Sequence, residues 1–463
     1  MENIKNKNAW LKYTDEDLKE VEDFAGKYED FISNSKTERE CTTFLIAEAK
    51  DKGYEDLNDI LKEDRKIKAG DKLYVNNMGK AFAMFVIGDS SLTDGMNILG
   101  SHIDCPRSDL KQNPLYEDGN FALFKTHYYG GIKKYQWVTT PLALHGVVVL
   151  KNGEKINVVI GEDESDPVFC FTDLPIHLSA TQMGKKANEI VEGEDLNLLI
   201  GNIPCETEKY KYSVKDRVLN ILKEKIGMEE EDFVSSEFEA VPAGRARDLG
   251  MDKSMIMGYG HDDRVCAYAG FSAIIHAENL KKTAVNLIVD KEEIGSVGAT
   301  SMNSLFFENA VAEIINNMEE YNDLKLRRAL ANSKMISADV TAAFDPTFAN
   351  VFEKNNSAYF GRGIAISKYT GARGKRGAND ANPEFIAEIR RMMDDNGVTY
   401  QTAELGKVDQ GGGGTISYIL AAYNVHVLDA GVAVLSMHSP CEIISKADLF
   451  ETYRAFKVFF KEA

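Results

Sequence analysis

The chain has 463 residues, 44% hydrophobic and 27% charged, with a formal net charge of -19. This is an ordinary soluble globular composition, long enough for two or three domains, and its acidity excludes nucleic acid or an anionic membrane surface as the expected partner. The six cysteines form no C-x-x-C pair, residues 1–10 are polar and no run nears the ~20 apolar residues of a membrane span, so a cytoplasmic protein with reduced thiols is expected.

In chain order, residues 15–31 read as a charged helix with periodic apolar positions. Ser35 or Thr37 caps a second helix through Glu40 and Phe44 to Ala49, with Gly53 as its stop. Runs 72–76, 81–87 and 96–100 read as strands, and the third leads into Ser101-His102-Ile103-Asp104. From about residue 110 to 201 the chain is dense in Tyr, Thr, Val and turn residues, with strands expected at 141–150 and 155–160. A helix at 214–227 precedes the acidic cluster 229–232, then a strand and return loop at 237–250.

From Tyr259 onward helices and strands alternate. Helices are expected at 264–280, 310–331, 382–396 and 447–461, and strands at 284–290, 335–340, 424–429 and 431–437. Such alternation marks βαβ units. The fold class is therefore α/β: a mostly parallel sheet flanked by helices, carrying an inserted strand-rich block. The expected domains are residues 1–105 with 251–463, and the insertion 106–250.

The chemistry gathers at the ends of apolar runs. Glu292 and Glu293 follow residues 284–289, a short apolar run that reads as a buried parallel strand. Open α/β sheets bind ligands just outside the carboxyl ends of such strands. A lone Glu-Glu pair is more often a solvated turn, but this pair has company. His102 and Asp104 follow Asn97-Ile98-Leu99-Gly100, and Asp262 and Asp263 follow Tyr259-Gly260-His261. Asp339 ends Met335-Ile336-Ser337-Ala338, and His438 ends Ala433-Val434-Leu435-Ser436-Met437. Carboxylates that meet in a protein interior need protons or cations to offset their repulsion. A pair of divalent metals is the simplest neutraliser, and mixed nitrogen and oxygen ligands suit zinc, with manganese or cobalt able to fill the same places.

Other residues carry milder readings. His145, His426 and His276 read as hydrogen-bonded core histidines, and His177 is ambiguous. Asp104 serves either a local turn or the orientation of His102. The run Gly411 to Gly414 is either a floppy loop or a close backbone approach to substrate that opens a helix at Thr415. Lys368, Arg373, Lys375 and Arg376 form the most basic stretch of an acidic chain. They are either a solvated loop or a grip for a substrate carboxylate.

Eight motifs, in order over residues ~100 to ~440, resemble the zinc aminopeptidases of the aspartyl aminopeptidase / aminopeptidase I family. They are Ser101-His-Ile-Asp-Cys-Pro-Arg107, Tyr129-Gly-Gly131, Leu174-Pro-Ile-His-Leu178, Asp262-Asp-Arg264, Asp290-Lys-Glu-Glu-Ile-Gly-Ser296, Ser337-Ala-Asp-Val340, Gly414-Thr-Ile416 and Leu435-Ser-Met-His-Ser439. The resemblance implies that Asp262 bridges two metal ions, with Asp263 as the fallback. His102 and Asp339 would complete one metal, Glu293 and His438 the other. Glu292 would be the general base and Asp104 would orient His102. It also implies that the inserted domain dimerises, that the protein is a homo-oligomer of the tetrahedral dodecamer type, and that His127 reaches a neighbouring subunit's site. The substrate would be a peptide, and Lys368, Gly413 and Gly414 are the candidates for contact with it from the readings above. The chain departs from the family where Val138-Thr139-Thr140 follows Trp137 and where residues 366–376 replace the stretch of acid-selective members. Preference for acidic N-terminal residues is therefore left open between acidic and neutral, while the metal chemistry carries over. The rival activities are an N-acyl deacylase or carboxypeptidase using the same metals, and a non-catalytic assembly protein.

Overall fold

In the computed structural model, residues 8–206 and 212–463 are described. Of the polar stretch 1–10, only the last three residues fall within them. They form two compact units. One holds the residues up to Asp104 with Ala246–Met437 and Glu442–Ala463; the other holds Cys105–Arg245 and His438–Cys441.

The first unit is built on a nine-stranded sheet. Its strands in chain order are β1 (Glu55–Asp56), β2 (Lys72–Asn77), β3 (Ala81–Val86), β4 (Asn97–His102), β5 (Ala284–Val289), β6 (Lys334–Ser337), β7 (Ile364–Ser367), β8 (Tyr400–Thr402) and β9 (His426–Gly431). Their order across the sheet is β1-β2-β3-β5-β4-β6-β9-β7-β8. The four central strands β5, β4, β6 and β9 run parallel. The sheet is mixed beyond them, because β2–β3 is a tight hairpin that sets β3 antiparallel to β5, and because β7 returns antiparallel to β9.

Successive strand residues face opposite sides, and both sides are apolar. Phe82, Met84, Leu99, Ile288, Ile336 and Leu428 face one core with helices Asp15–Asn34, Glu38–Asp51, His261–Ile274, Pro383–Asp395 and Lys446–Glu462. Ala83, Phe85, Ile98, Leu287, Met335 and Val427 face the other, with helices Phe306–Met318 and Asp323–Ala331. A sheet covered on both faces reads as continuous apolar runs, as residues 81–87 do and residues 284–289 do but for Asn286. The largely helical stretch expected at 310–331 is two helices, separated between Met318 and Asp323, where Asn322 caps the second through its side chain. Thr14 and Thr37 start the first two long helices with capping boxes closed by Asp17 and Glu40.

The second unit is a seven-stranded, wholly antiparallel sheet, strand-rich as composition suggested. The division expected after residues 105 and 250 falls after 104 and 245. Residues Arg247–Leu249 stay with the first unit because they pair with Met255–Gly258.

Candidate metal centre

Register explains why distant residues meet. In β5 and β4, Val289 pairs with His102; in β6 and β4, Ser337 pairs with Gly100. In these adjacent parallel strands, about 4.8 Å apart, β4 and β5 end level and β6 ends two residues short of them, so that His102, the residues just past Val289 and Asp339, two residues past Ser337, share one rim. Helix His261–Ile274 brings Asp262 and Asp263 to the same rim. It approaches β4 closely at Gly270, where a Cβ would lie 2.1 Å from Leu99 Cδ2. Asp262 and Asp263 are joined by a cis peptide and have non-helical backbone angles.

Two overlapping groups have ligand atoms all within 4.8 Å of one another: His102, Asp262 and Glu293; and His102, Asp263 and Asp339. The His102 Nε2 lies 3.4 Å from Asp262 Oδ1 and 3.9 Å from Asp339 Oδ1. Its Nδ1 lies 3.0 Å from the Asp104 carbonyl and 3.3 Å from Asp104 Oδ1. Nδ1–H donating to Asp104 leaves the lone pair on Nε2, aimed at the carboxylates. The same Asp104 carboxylate accepts the backbone N–H groups of Glu292 and Glu293, each at 3.1 Å. One side chain thus orients the histidine and holds the Glu-Glu turn.

His102, Asp104, Asp262 and Asp263 are all buried, and Glu292 and Glu293 are half-buried. Burial pushes the Asp263 carboxyl well up, with Asp262 adding repulsion. Burial also raises Asp339, helped by the charges of Asp263, Asp262 and Glu292. For His102 burial pulls downward, but Asp104 and Asp262 outweigh it and hold the imidazole well above its ordinary value. Without a cation, such a group must hold protons. The donors, one imidazole nitrogen with several carboxylates, suit a divalent ion. The Oδ1 of fully buried Asp263 makes no hydrogen bond, as fits a rim that takes a cation.

His438 belongs to the second unit. There its Nδ1 lies 2.7 Å from the Gly131 carbonyl, which places its lone pair on Nε2. His127 is an exposed residue of strand Phe121–Tyr129 in that unit. Lys368 is exposed, 4.0 Å from Asp380. The glycine run overturns the first of its two readings and moves the helix start of the second. Gly412–Gly413 pairs with Gly371–Ala372, so the run is no floppy loop. The helix that follows is only the five residues Ser417–Ala421 and starts beyond Thr415. Gly412 has φ +119, and a Cβ there would meet the Gly371 carbonyl at 2.2 Å; only glycine fits. Gly413 and Gly414 are exposed. His145 is buried against Glu162 at 3.0 Å, as read. His426 instead is exposed, being the first residue of its strand.

Sequence reasoning did not find two contributors. Glu442 is buried and accepts the Asp262 backbone N–H at 3.0 Å. An acid opening an apolar strand four residues past His438 was the available signal. Tyr28, from the first long helix, meets His261 Nδ1 at 2.7 Å; nothing local announces that pair.

The family model for the aminopeptidase I zinc metalloprotease (M18) matches residues 31–460. A probable M18 family aminopeptidase 1 of Clostridium acetobutylicum is 58% identical over 98% of this chain and 97% of its own length. The crystal structure of an M18 family aminopeptidase from Thermotoga maritima aligns with TM-score 0.93, at 43% identity over 99% of both chains. The S. cerevisiae mApe1 dodecamer shares the fold, with TM-score 0.77 at 21% identity over 95% of this chain and 97% of its own.

Proposed function

The chain belongs to the aminopeptidase I zinc metalloprotease (M18) family, and from that premise we propose that it removes N-terminal amino acids from peptides at a two-metal centre, with Glu292 as general base. N-terminal peptide hydrolysis and zinc are the family's properties. The observation that carries the rest is the meeting of His102 with the carboxylates of Asp262, Asp339 and Glu293 at neighbouring strand ends and one helix start. His102, Asp262, Asp339 and Glu293 would hold the ions, with His438 as a further ligand. Bound divalent ions supply Lewis acidity, lowering the pKa of a water and polarising the scissile carbonyl.

The protein's own groups do the remainder. Glu292 takes the proton from the attacking water and returns it to the leaving amine. Its half-exposed position at the turn gives it access to both. Asp104 keeps His102 in the tautomer that presents Nε2, and holds the turn that aims Glu292. Lys368, Gly413, Gly414 and His127 are the candidates for contact with the peptide. The protein acts as a cytoplasmic homo-oligomer, in line with the dodecamer of its yeast fold relative. Zinc is the expected metal, and manganese or cobalt suits the same donors.

The test is Glu292→Gln, with bound metal measured alongside turnover. Loss of at least a hundredfold in kcat with metal content unchanged is expected; parent-level turnover ends the assignment. A panel of Asp, Glu, Leu and Lys amides then fixes the preferred N-terminal residue. Turnover of an N-acetylated peptide at the rate of the free one would favour a deacylase or carboxypeptidase instead.

A further inference from the structure

The turn that carries Glu292 is held from behind as well as from Asp104. Asp290, the residue just past β5, turns its carboxylate inward and is fully buried. That placement is costly, since burial and the nearby carboxylates of Glu38 and Asp104 all oppose its charge. In return its Oδ2 accepts a hydrogen bond from Thr300 Oγ1 at 2.5 Å and an ion pair from Lys291 Nζ at 2.9 Å. The Asp290 backbone N–H also donates to the Thr300 carbonyl at 3.1 Å. Two contacts thus close the loop between residues 290 and 300 at its base.

Inside the loop, Lys291 adopts a left-handed φ of 70°, a conformation that costs a non-glycine residue about 1–2 kcal/mol. It is held there at both ends of its side chain. Nζ is fixed by Asp290, and the stem lies over Gly298, where a Cβ would come within 2.9 Å of Lys291 Cδ. The Lys291 carbonyl accepts the Ser296 N–H at 2.7 Å. That left-handed residue turns the next two N–H groups, those of Glu292 and Glu293, toward Asp104.

We infer that Asp290 and Thr300 form a clasp that positions Glu292 for proton transfer, working through the conformation of Lys291. Neither residue touches substrate in this account; both are positioning residues. The inference rests on the assignment of Glu292 as base. It also explains why a buried acid sits where a neutral turn residue would cost less.

The experiment compares Thr300→Val, Thr300→Ser and Asp290→Asn, each with kcat, KM, bound metal and melting temperature measured. Thr300→Val replaces the hydroxyl with a methyl and so removes the donor to Asp290. It is expected to lower kcat about tenfold or more, because small misplacements of a reacting group are expensive, with KM and metal content held and the melting temperature only modestly lowered by the lost partner of Asp290. Thr300→Ser restores the donor and is expected to return kcat to within about twofold. In a Glu292→Gln background, Thr300→Val is expected to add no further loss, as befits groups acting as a unit. The inference fails if Thr300→Val keeps full kcat, if its loss tracks lost metal or lost folding, or if the two losses multiply. Should Asp290→Asn not fold, the threonine pair still decides. Full activity of Glu292→Gln alone would instead sink the base assignment, whatever Thr300→Val does.

Discussion

Asp104 shows how much one side chain can organise. Its carboxylate receives two backbone N–H groups and faces His102 Nδ1. Asp104→Ala leaves all three donors without that acceptor, and removal of such a partner of a metal-binding histidine typically costs 10–100-fold in metal affinity. We expect a loss of that size in a competition titration against a chelator; affinity within twofold of the parent would remove Asp104 from the site. Asn is no rescue, because its amide NH2 would face an N–H group. Asp104 was legible from its two-residue spacing after His102. The choice between Asp262 and Asp263 was not, because adjacent carboxylates look alike until the backbone angles that separate them are known. Asp262 lies with Glu293, and Asp263 lies with Asp339.

At the scale of elements, the parallel centre was readable because β4, β5 and β6 are short runs, mostly apolar, with an acid or a histidine at or just past their ends. What escaped was strand Arg107–Asp118, whose text is charged and contains Pro114. Its pairing with Phe121–Tyr129 shifts register between Leu110 and Leu115, and such an irregularity tolerates the proline and breaks the alternation that marks a strand. Gly270 was equally silent, since a small residue in an apolar helix suggests no partner. Its partner is Leu99 of β4, and the contact brings the helix bearing Asp262 onto the strand bearing His102. Gly270→Ala places a methyl 2.1 Å from Leu99 Cδ2 and 2.9 Å from Asn286 Oδ1. Overpacking of this kind costs about 1–3 kcal/mol. Thermal unfolding should show the drop, and a variant as stable as the parent would mean that this helix–strand contact is looser than the geometry implies.

For the molecule as a whole, pH acts on stability through buried groups of opposite sign. His261 is depressed to about 3 by burial. Below the ordinary histidine pKa the unfolded chain binds a proton that the native state refuses, so this contribution is lost as pH falls from about 6.5 toward 3. Asp263 and Asp339 are raised by burial. Their neutral forms favour the native state fully below the ordinary carboxylate range, and that contribution is lost as pH rises through their elevated values. In the metal-free protein these acids therefore weaken the fold as pH climbs. A bound divalent ion replaces the protons and reverses the trend, because its affinity grows as the ligands deprotonate. His261 stands outside both candidate ligand groups, so its contribution is expected to be alike with and without metal and to cancel in the difference between the two states. The expected result is a gap in melting temperature between zinc-loaded and chelator-treated protein that widens steadily from pH 5 to pH 8. A gap that stays constant, or narrows with rising pH, would show that the rim of His102, Asp262, Asp263 and Asp339 does not exchange protons for metal.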